Sequence, residues 1–130
     1  MNVVVAIDAG TTGVRAIAFD GSGLPVASSY REFTQHFPRP GWVEHDANEI
    51  WDSIQVVLGE VTSALDATGA VVAAIGITDQ RETLVAWDRA TGRPLHRAIV
   101  WQDRRTADLC ERLAADGALQ LVRSTTGLVL

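Results

Sequence analysis

Five apolar residues, Val3 to Ile7, run straight into Asp8-Ala9-Gly10-Thr11-Thr12-Gly13-Val14-Arg15, and Val14 to Phe19 is again extended in pattern. The glycine segment therefore joins a strand to a strand. A Walker A loop is excluded, because that motif opens a helix and ends in Gly-Lys-Ser/Thr. Two readings of the turn stand side by side. Gly10 and Gly13 supply the backbone freedom of an ordinary hairpin. The same glycines also let successive N–H groups aim at a phosphate, with the Thr11 and Thr12 hydroxyls as further donors. Asp8, at the strand end, is placed to hold a magnesium ion through water, since Mg²⁺ keeps several waters and takes few carboxylates.

The turn signal Asp20-Gly21-Ser22-Gly23 and the extended stretch Pro25 to Phe33 complete a meander of three antiparallel strands. Gln35 to His45 contains Pro38, Pro40 and Gly41 and is expected to be irregular. Asp46 and Glu49 fit the N-cap and N3 positions of a capping box. In the helix that follows, Ile50, Ile54, Val57, Leu58, Val61 and Leu65 fall on one face, and Thr68-Gly69 ends it. The continuous apolar run Val71 to Ile77 predicts a strand covered on both sides. Thr83 to Trp87 and Arg97 to Trp101 read as two further strands around the turn Asp88 to Gly92. A helical pattern from Asp103 sets Ala107, Cys110, Leu113 and Ala114 along one side, breaks at Asp116-Gly117 and resumes towards Arg123. Strands, a helix, strands and helices again describe a mixed α/β sheet with flanking helices.

The 130 residues suit one domain. A net charge of −5 without any basic run argues against nucleic acid or an anionic membrane surface as partner. Cys110 is the lone cysteine, so no internal disulfide forms, and on an apolar helix side it reads as a small buried hydrophobe. The start lacks a signal peptide's basic region, and Ala70 to Ile77 is too short to span a bilayer, so a cytoplasmic location is expected. The ending Gly127-Leu128-Val129-Leu130 has no polar tail and reads as cut, with apolar faces left open and self-association expected.

Gly76-Ile77-Thr78-Asp79-Gln80-Arg81-Glu82-Thr83 lies where a buried strand should end, a common place for ligands in α/β sheets. Arg81 only donates hydrogen bonds and an ionised Glu82 only accepts them, so together they suit vicinal hydroxyls. The competing reading is a neighbouring Arg/Glu pair that solvates a loop or neutralises itself. Trp87 and Trp101 read as core aromatics, and Trp42 and Trp51 as anchors of the Pro/Gly loop. His45 without a second ligand at metal spacing reads as structural, and His36 and His96 as loop residues. Arg104-Arg105 reads as a surface pair at a helix start that could edge the cleft.

Four blocks, DAGTTGVRA (Asp8 to Ala16), PRPGWVEHDANEIW (Pro38 to Trp51), GITDQRET (Gly76 to Thr83) and AIVWQDRRT (Ala98 to Thr106), together resemble the FGGY carbohydrate kinases. The last two point to the glycerol kinase branch. The resemblance implies an actin-like ATPase, ribonuclease H-like fold, of which residues 1–130 are the N-terminal part of the first domain. It also implies phosphoryl transfer from ATP with Mg²⁺ to a terminal hydroxyl of glycerol or another small polyol. On the matching positions, Thr11, Thr12, Gly13 and Arg15 would meet the ATP phosphates and Asp8 the magnesium. Arg81 and Glu82 would hydrogen-bond the polyol, and Trp101 would wall its carbon chain.

The sequence departs from the family pattern at Ala9 and Gly13, where Gln and Ser are common, and at Asp79, where Asn is usual. The family's catalytic aspartate falls beyond Leu130, so no general base is assigned. A further polyol-contacting tyrosine, the adenosine pocket and the second domain fall there too. The expected partners are thus the C-terminal part of the same enzyme and, for the parent, further copies of itself. The 130 residues alone are expected to be inactive, and a non-catalytic binding module is the alternative reading.

Overall fold

The computed structural model describes residues 1–130. It opens with strands β1 (Asn2–Ala9), β2 (Gly13–Phe19) and β3 (Pro25–Glu32), followed by a two-residue strand β4 (Glu44–His45). Helix α1 (Ala47–Asp66) leads to β5 (Val71–Thr78), and the short β6 (Ala98–Ile99) precedes α2 (Ala107–Ala115) and α3 (Ala118–Thr126). The main sheet has the order β3-β2-β1-β5, antiparallel except where β1 meets β5. β4 and β6 form a second, two-stranded sheet.

Strict alternation along β1 sends Val3, Val5, Ile7 and Ala9 into the core and Val4, Ala6 and Asp8 to the opposite face. From β2 come Val14, Ala16 and Ala18. Helix α1 lies on this surface through Val57, Val61 and Leu65, with Ile50, Ile54 and Leu58 packed at the margin. Full burial of each large aliphatic chain stabilises the fold by about 1.5–3 kcal/mol. Three alanines in the underlying strands leave room for the helix to sit close.

Asp46 is the N-cap of α1 and accepts a hydrogen bond from the Asn48 N–H at 2.9 Å. Glu49 does not complete a capping box. It turns away to accept from the Thr34 N–H at 3.0 Å and the Thr34 hydroxyl at 2.9 Å, tying the end of β3 to the helix. The turn at Asp20 is as expected, with its carboxylate taking the N–H groups of Ser22 and Leu24. The turn at Asp88 is held the same way by Ala90 and Thr91.

Several expectations are corrected. β5 forms, but it is an edge strand paired only with β1, and seven of its eight residues, all but Val72, are exposed. Thr83 to Trp87 is not a strand. Isolated bridges Leu84–Ile99 and Trp87–Pro94 stand in its place, each pairing a single residue with a different stretch of chain. Only Ala98–Ile99 of the third stretch is a strand, and the irregular segment before α1 contributes its partner Glu44–His45. Of the helices, α1 alone lies on the main sheet, while α2 and α3 pack on each other and bury no residue fully. Cys110 is half-buried rather than buried.

Candidate functional site

The glycine turn after β1 and the Asp79 to Glu82 segment after β5 leave the same end of the sheet from neighbouring parallel strands. In register, Asp8 at the end of β1 faces Arg15 on β2 and Thr78 on β5. Beyond Ala9 the chain closes a turn in which the Gly10 N–H donates to the Gly13 carbonyl at 3.0 Å. The N–H groups of Thr11 and Thr12 in that turn make no hydrogen bond within the protein, so they are free donors. A Cβ on Gly10 would lie 3.2 Å from the Gly13 carbonyl oxygen and 3.7 Å from Asp8 Oδ1. The glycine keeps the loop tight.

Gly13 is buried, and a Cβ there would meet the Arg31 carbonyl oxygen and the Tyr30 hydroxyl, each at 2.6 Å. Tyr30 thus fills the space that a larger residue at this position would need. Its hydroxyl is 3.4 Å from Thr12 Oγ1, and the Arg15 guanidinium lies 5.1 Å from its ring centre. Arg15 makes no ion pair, so its charge is open to a ligand.

Beyond Thr78, Asp79-Gln80-Arg81-Glu82 forms a turn in which the Thr83 N–H donates to the Gln80 carbonyl at 3.3 Å. Glu82 has φ of 59°, the one non-glycine residue with positive φ. Such a backbone costs on the order of 1–3 kcal/mol and gathers at functional sites. Arg81 and Glu82 form no salt bridge, so the pair does not neutralise itself, and both are exposed on the turn, as a loop-solvating pair would also be. Trp101 is 53% exposed and Trp87 60%, so neither is a core aromatic. Thr11, Asp79, Gln80, Arg81, Glu82 and Trp101 line one cleft of about 320 Å³. The Trp101 indole N–H closes it by donating to Thr11 Oγ1 at 3.0 Å.

The profile of the FGGY family of carbohydrate kinases, N-terminal domain, matches residues 3–130. The chain belongs to this family. A glycerol kinase of Bordetella pertussis is 56% identical over 127 residues, and one of Rhizobium rhizogenes is 53% identical. Each alignment spans 98% of this chain. The chain spans about a quarter of the length of these curated relatives. A crystal structure of Plasmodium falciparum glycerol kinase with ADP superposes with a TM-score of 0.92 over 99% of this chain and 26% of that one, at 35% identity. Gluconate kinase from Lactobacillus acidophilus shares the fold, at a TM-score of 0.88 over 98% of this chain and 25% of the other, with 24% identity. The architecture is thus the N-terminal part of an actin-like, ribonuclease H-like α/β fold.

FGGY membership implies ATP and a divalent cation, and the residues present fit both. Two free N–H groups, a tight glycine turn and an unpaired guanidinium suit terminal phosphates. No three His, Cys, Asp or Glu side chains gather to ligate a metal. Asp8 alone fits Mg²⁺ held mainly by water and phosphate oxygens, not a metal caged by protein.

Two buried polar clusters were not legible as clusters, although His45 is structural as its lack of a second ligand suggested. His45 is fully buried, stacked edge-on against Phe33 with ring centres 4.9 Å apart. Its Nε2 is 2.7 Å from Gln35 Oε1 and its Nδ1 3.3 Å from Gln80 Nε2. Burial pushes the imidazole pKa down, partly opposed by the hydrogen bond from Gln80. Arg105 is not a surface residue. It pairs with Glu44 and Asp103, each at 2.8 Å, and its guanidinium lies 3.8 Å from the Trp42 ring centre. Burial alone would raise the Asp103 carboxyl, but Arg105 and the Val43 N–H outweigh it and hold it below the usual carboxylate range. Trp42 does anchor the Pro/Gly loop, between Arg105 and Arg39, whereas Trp51 is 59% exposed and anchors nothing. The signal was an aromatic beside acids and arginines, which spacing does not reveal.

Proposed function

We propose that this chain is the N-terminal part of a kinase that transfers phosphate from ATP to a primary hydroxyl of glycerol. The observation that carries the reading is the shared cleft, in which Thr11 of the glycine turn lies beside Arg81, Glu82 and Trp101. The Thr11 and Thr12 N–H groups, the backbone at Gly13 and the Arg15 guanidinium would hold the terminal phosphates. Asp8 would orient the magnesium through its waters. When bound, MgATP supplies the phosphoryl group and the metal charge that neutralises it in transit.

Arg81 donates to one hydroxyl of the polyol and Glu82 accepts from its neighbour, while the Trp101 ring covers the carbon chain and thins the water beside it. A ligand held at both ends presents one hydroxyl to the phosphate side, and such positioning contributes much of the rate in phosphoryl transfer. The proton of that hydroxyl goes to a base outside residues 1–130. Asp79 and Glu82, on either side of Gln80-Arg81, serve as binding groups. The isolated chain would then bind ligands without turning over.

ADP release by the full-length protein with MgATP tests this. Release that depends on glycerol is expected, with little when residues 1–130 are assayed alone. Release that depends on another sugar or polyol and not on glycerol would replace the substrate, and turnover by the short chain would assign the base to Asp79 or Glu82.

A further inference from the structure

Six residues from separate parts of the chain form a closed ring of hydrogen bonds around the cleft, and local chemistry fixes its polarity. Gln35 Nε2 faces two carbonyl oxygens, of Thr11 at 3.1 Å and Phe33 at 3.4 Å, which only accept. Gln35 Oε1 therefore points at His45 Nε2, which must carry the hydrogen. In the neutral ring Nδ1 is then the acceptor, and Gln80 Nε2 donates to it. That leaves Gln80 Oε1 to accept from the Thr83 hydroxyl at 3.3 Å. The Thr83 oxygen accepts from the Trp101 N–H at 3.3 Å, and the Trp101 indole returns to Thr11 at 3.0 Å. One arrangement satisfies every member.

The ring joins the phosphate turn, through Thr11, to the polyol clamp, through Gln80, Thr83 and Trp101. His45 is its buried pivot, and a buried network is most stable when fully paired. A ligand that orders Thr11 tightens the Gln35–His45–Gln80 path and lowers the ordering cost at the clamp. A polyol ordered against Arg81 and Trp101 does the reverse. Resting on the function proposed above, we infer that His45 is a positioning residue that couples the two half-sites, so that occupancy of either strengthens binding at the other. The coupling is reciprocal by linkage.

The test is calorimetric titration of full-length protein with glycerol, in the absence and presence of a saturating non-hydrolysable ATP analogue with Mg²⁺. For the unaltered protein the analogue is expected to tighten glycerol binding at least about fivefold, the low end of ordinary allosteric coupling. His45→Phe keeps a flat aromatic ring, slightly larger, but removes both polar nitrogens, and should bring that ratio to about one. His45→Gln, which donates and accepts, should keep part of it. Should His45→Phe fail to fold, Gln80→Met cuts the ring from the half-buried side and reads the same ratio. A merely structural role would weaken both ligands and leave the ratio alone. An unchanged ratio in a folded variant, or a ratio of one in the unaltered protein, overturns the inference while leaving the kinase reading intact. Failure of the unaltered protein to bind either ligand overturns both.

Discussion

The Trp101 indole N–H donates to the Thr11 hydroxyl at 3.0 Å across 90 positions of sequence, so the tryptophan that walls the cleft also braces the glycine turn. The two functions of the tryptophan are separable. Trp101→Phe keeps an aromatic face and loses the donor. It should raise KM for ATP more than KM for glycerol, whereas Trp101→Ala should raise both, as steady-state kinetics on the full-length protein will show.

Glu82 holds its carboxylate in the cleft at a backbone φ of 59°. Glu82→Gln keeps shape and strain but loses the charged acceptor, and should raise KM for glycerol by tenfold or more, about 1.5 kcal/mol or above for a charge-assisted bond. Glu82→Gly relieves the strain by up to about 1 kcal/mol. It should melt no lower than the parent protein while losing glycerol binding. A clear fall in its melting temperature would show that the side chain, not the backbone, dominates there.

Gly13→Ala would set a methyl 2.6 Å from both the Arg31 carbonyl and the Tyr30 hydroxyl. Urea denaturation should report a loss of about 1–3 kcal/mol, the usual range for overpacking. Adding Tyr30→Ala should recover only part, because the Arg31 carbonyl belongs to the backbone and stays. Full recovery would assign the whole clash to Tyr30.

Arg105 neutralises two carboxylates whose side chains are only 5% and 3% exposed, those of Glu44 and Asp103. Removing one partner of a buried pair leaves an uncompensated charge and costs about 3–5 kcal/mol. Arg105→Ala should therefore unfold at markedly lower urea. Arg105→Lys should recover little, since an ammonium lacks the fork that meets both acids and the flat face over Trp42.

The same groups set the acid limit of stability. His45 has its pKa lowered by burial, so the folded state binds fewer protons than the unfolded chain. Its contribution is complete above the ordinary histidine value of about 6.5 and is lost as pH falls through the lower folded value. Asp103, also lowered, contributes fully above about 3.9 and loses that contribution on further acidification. Denaturation midpoints should fall in two stages below neutrality. His45→Phe should remove the first and Arg105→Ala should shrink the second.

How far the fold was legible depended on whether the cause of each element was local. The alternation of Val3, Val5 and Ile7, the apolar face of α1 and the Asp20 and Asp88 turns each follow from neighbours within a few residues, and all formed as read. β5 carries the continuous apolar run of a strand covered on both sides, yet α1 lies across β2 and β3, and the outer residues of the run stay open. Periodicity reports what a strand is suited to, not what covers it. At the candidate site, Thr11, Arg81 and Glu82 stand in short blocks whose chemistry marked them as candidates, and the fold brings them to one cleft with Trp101, which its own chemistry had marked as core. Gln35, His45 and Arg105 were not, because an amide or an imidazole gains its meaning from partners brought by distant segments.

The placement of β1 between an antiparallel and a parallel neighbour has a consequence for the order of assembly. β1, β2 and β3 meet through tight turns, whereas β5 reaches β1 only after the loop containing α1 has closed. Closing that longer loop costs more chain entropy before any contact repays it. The glycine turn is therefore shaped early in folding, and the clamp, at the far end of β5, late. Hydrogen-exchange pulse labelling during refolding should protect Val14 before Ile75, and a nascent chain would finish the turn at Gly10 to Gly13 well before the turn at Asp79 to Glu82 could join it at one cleft.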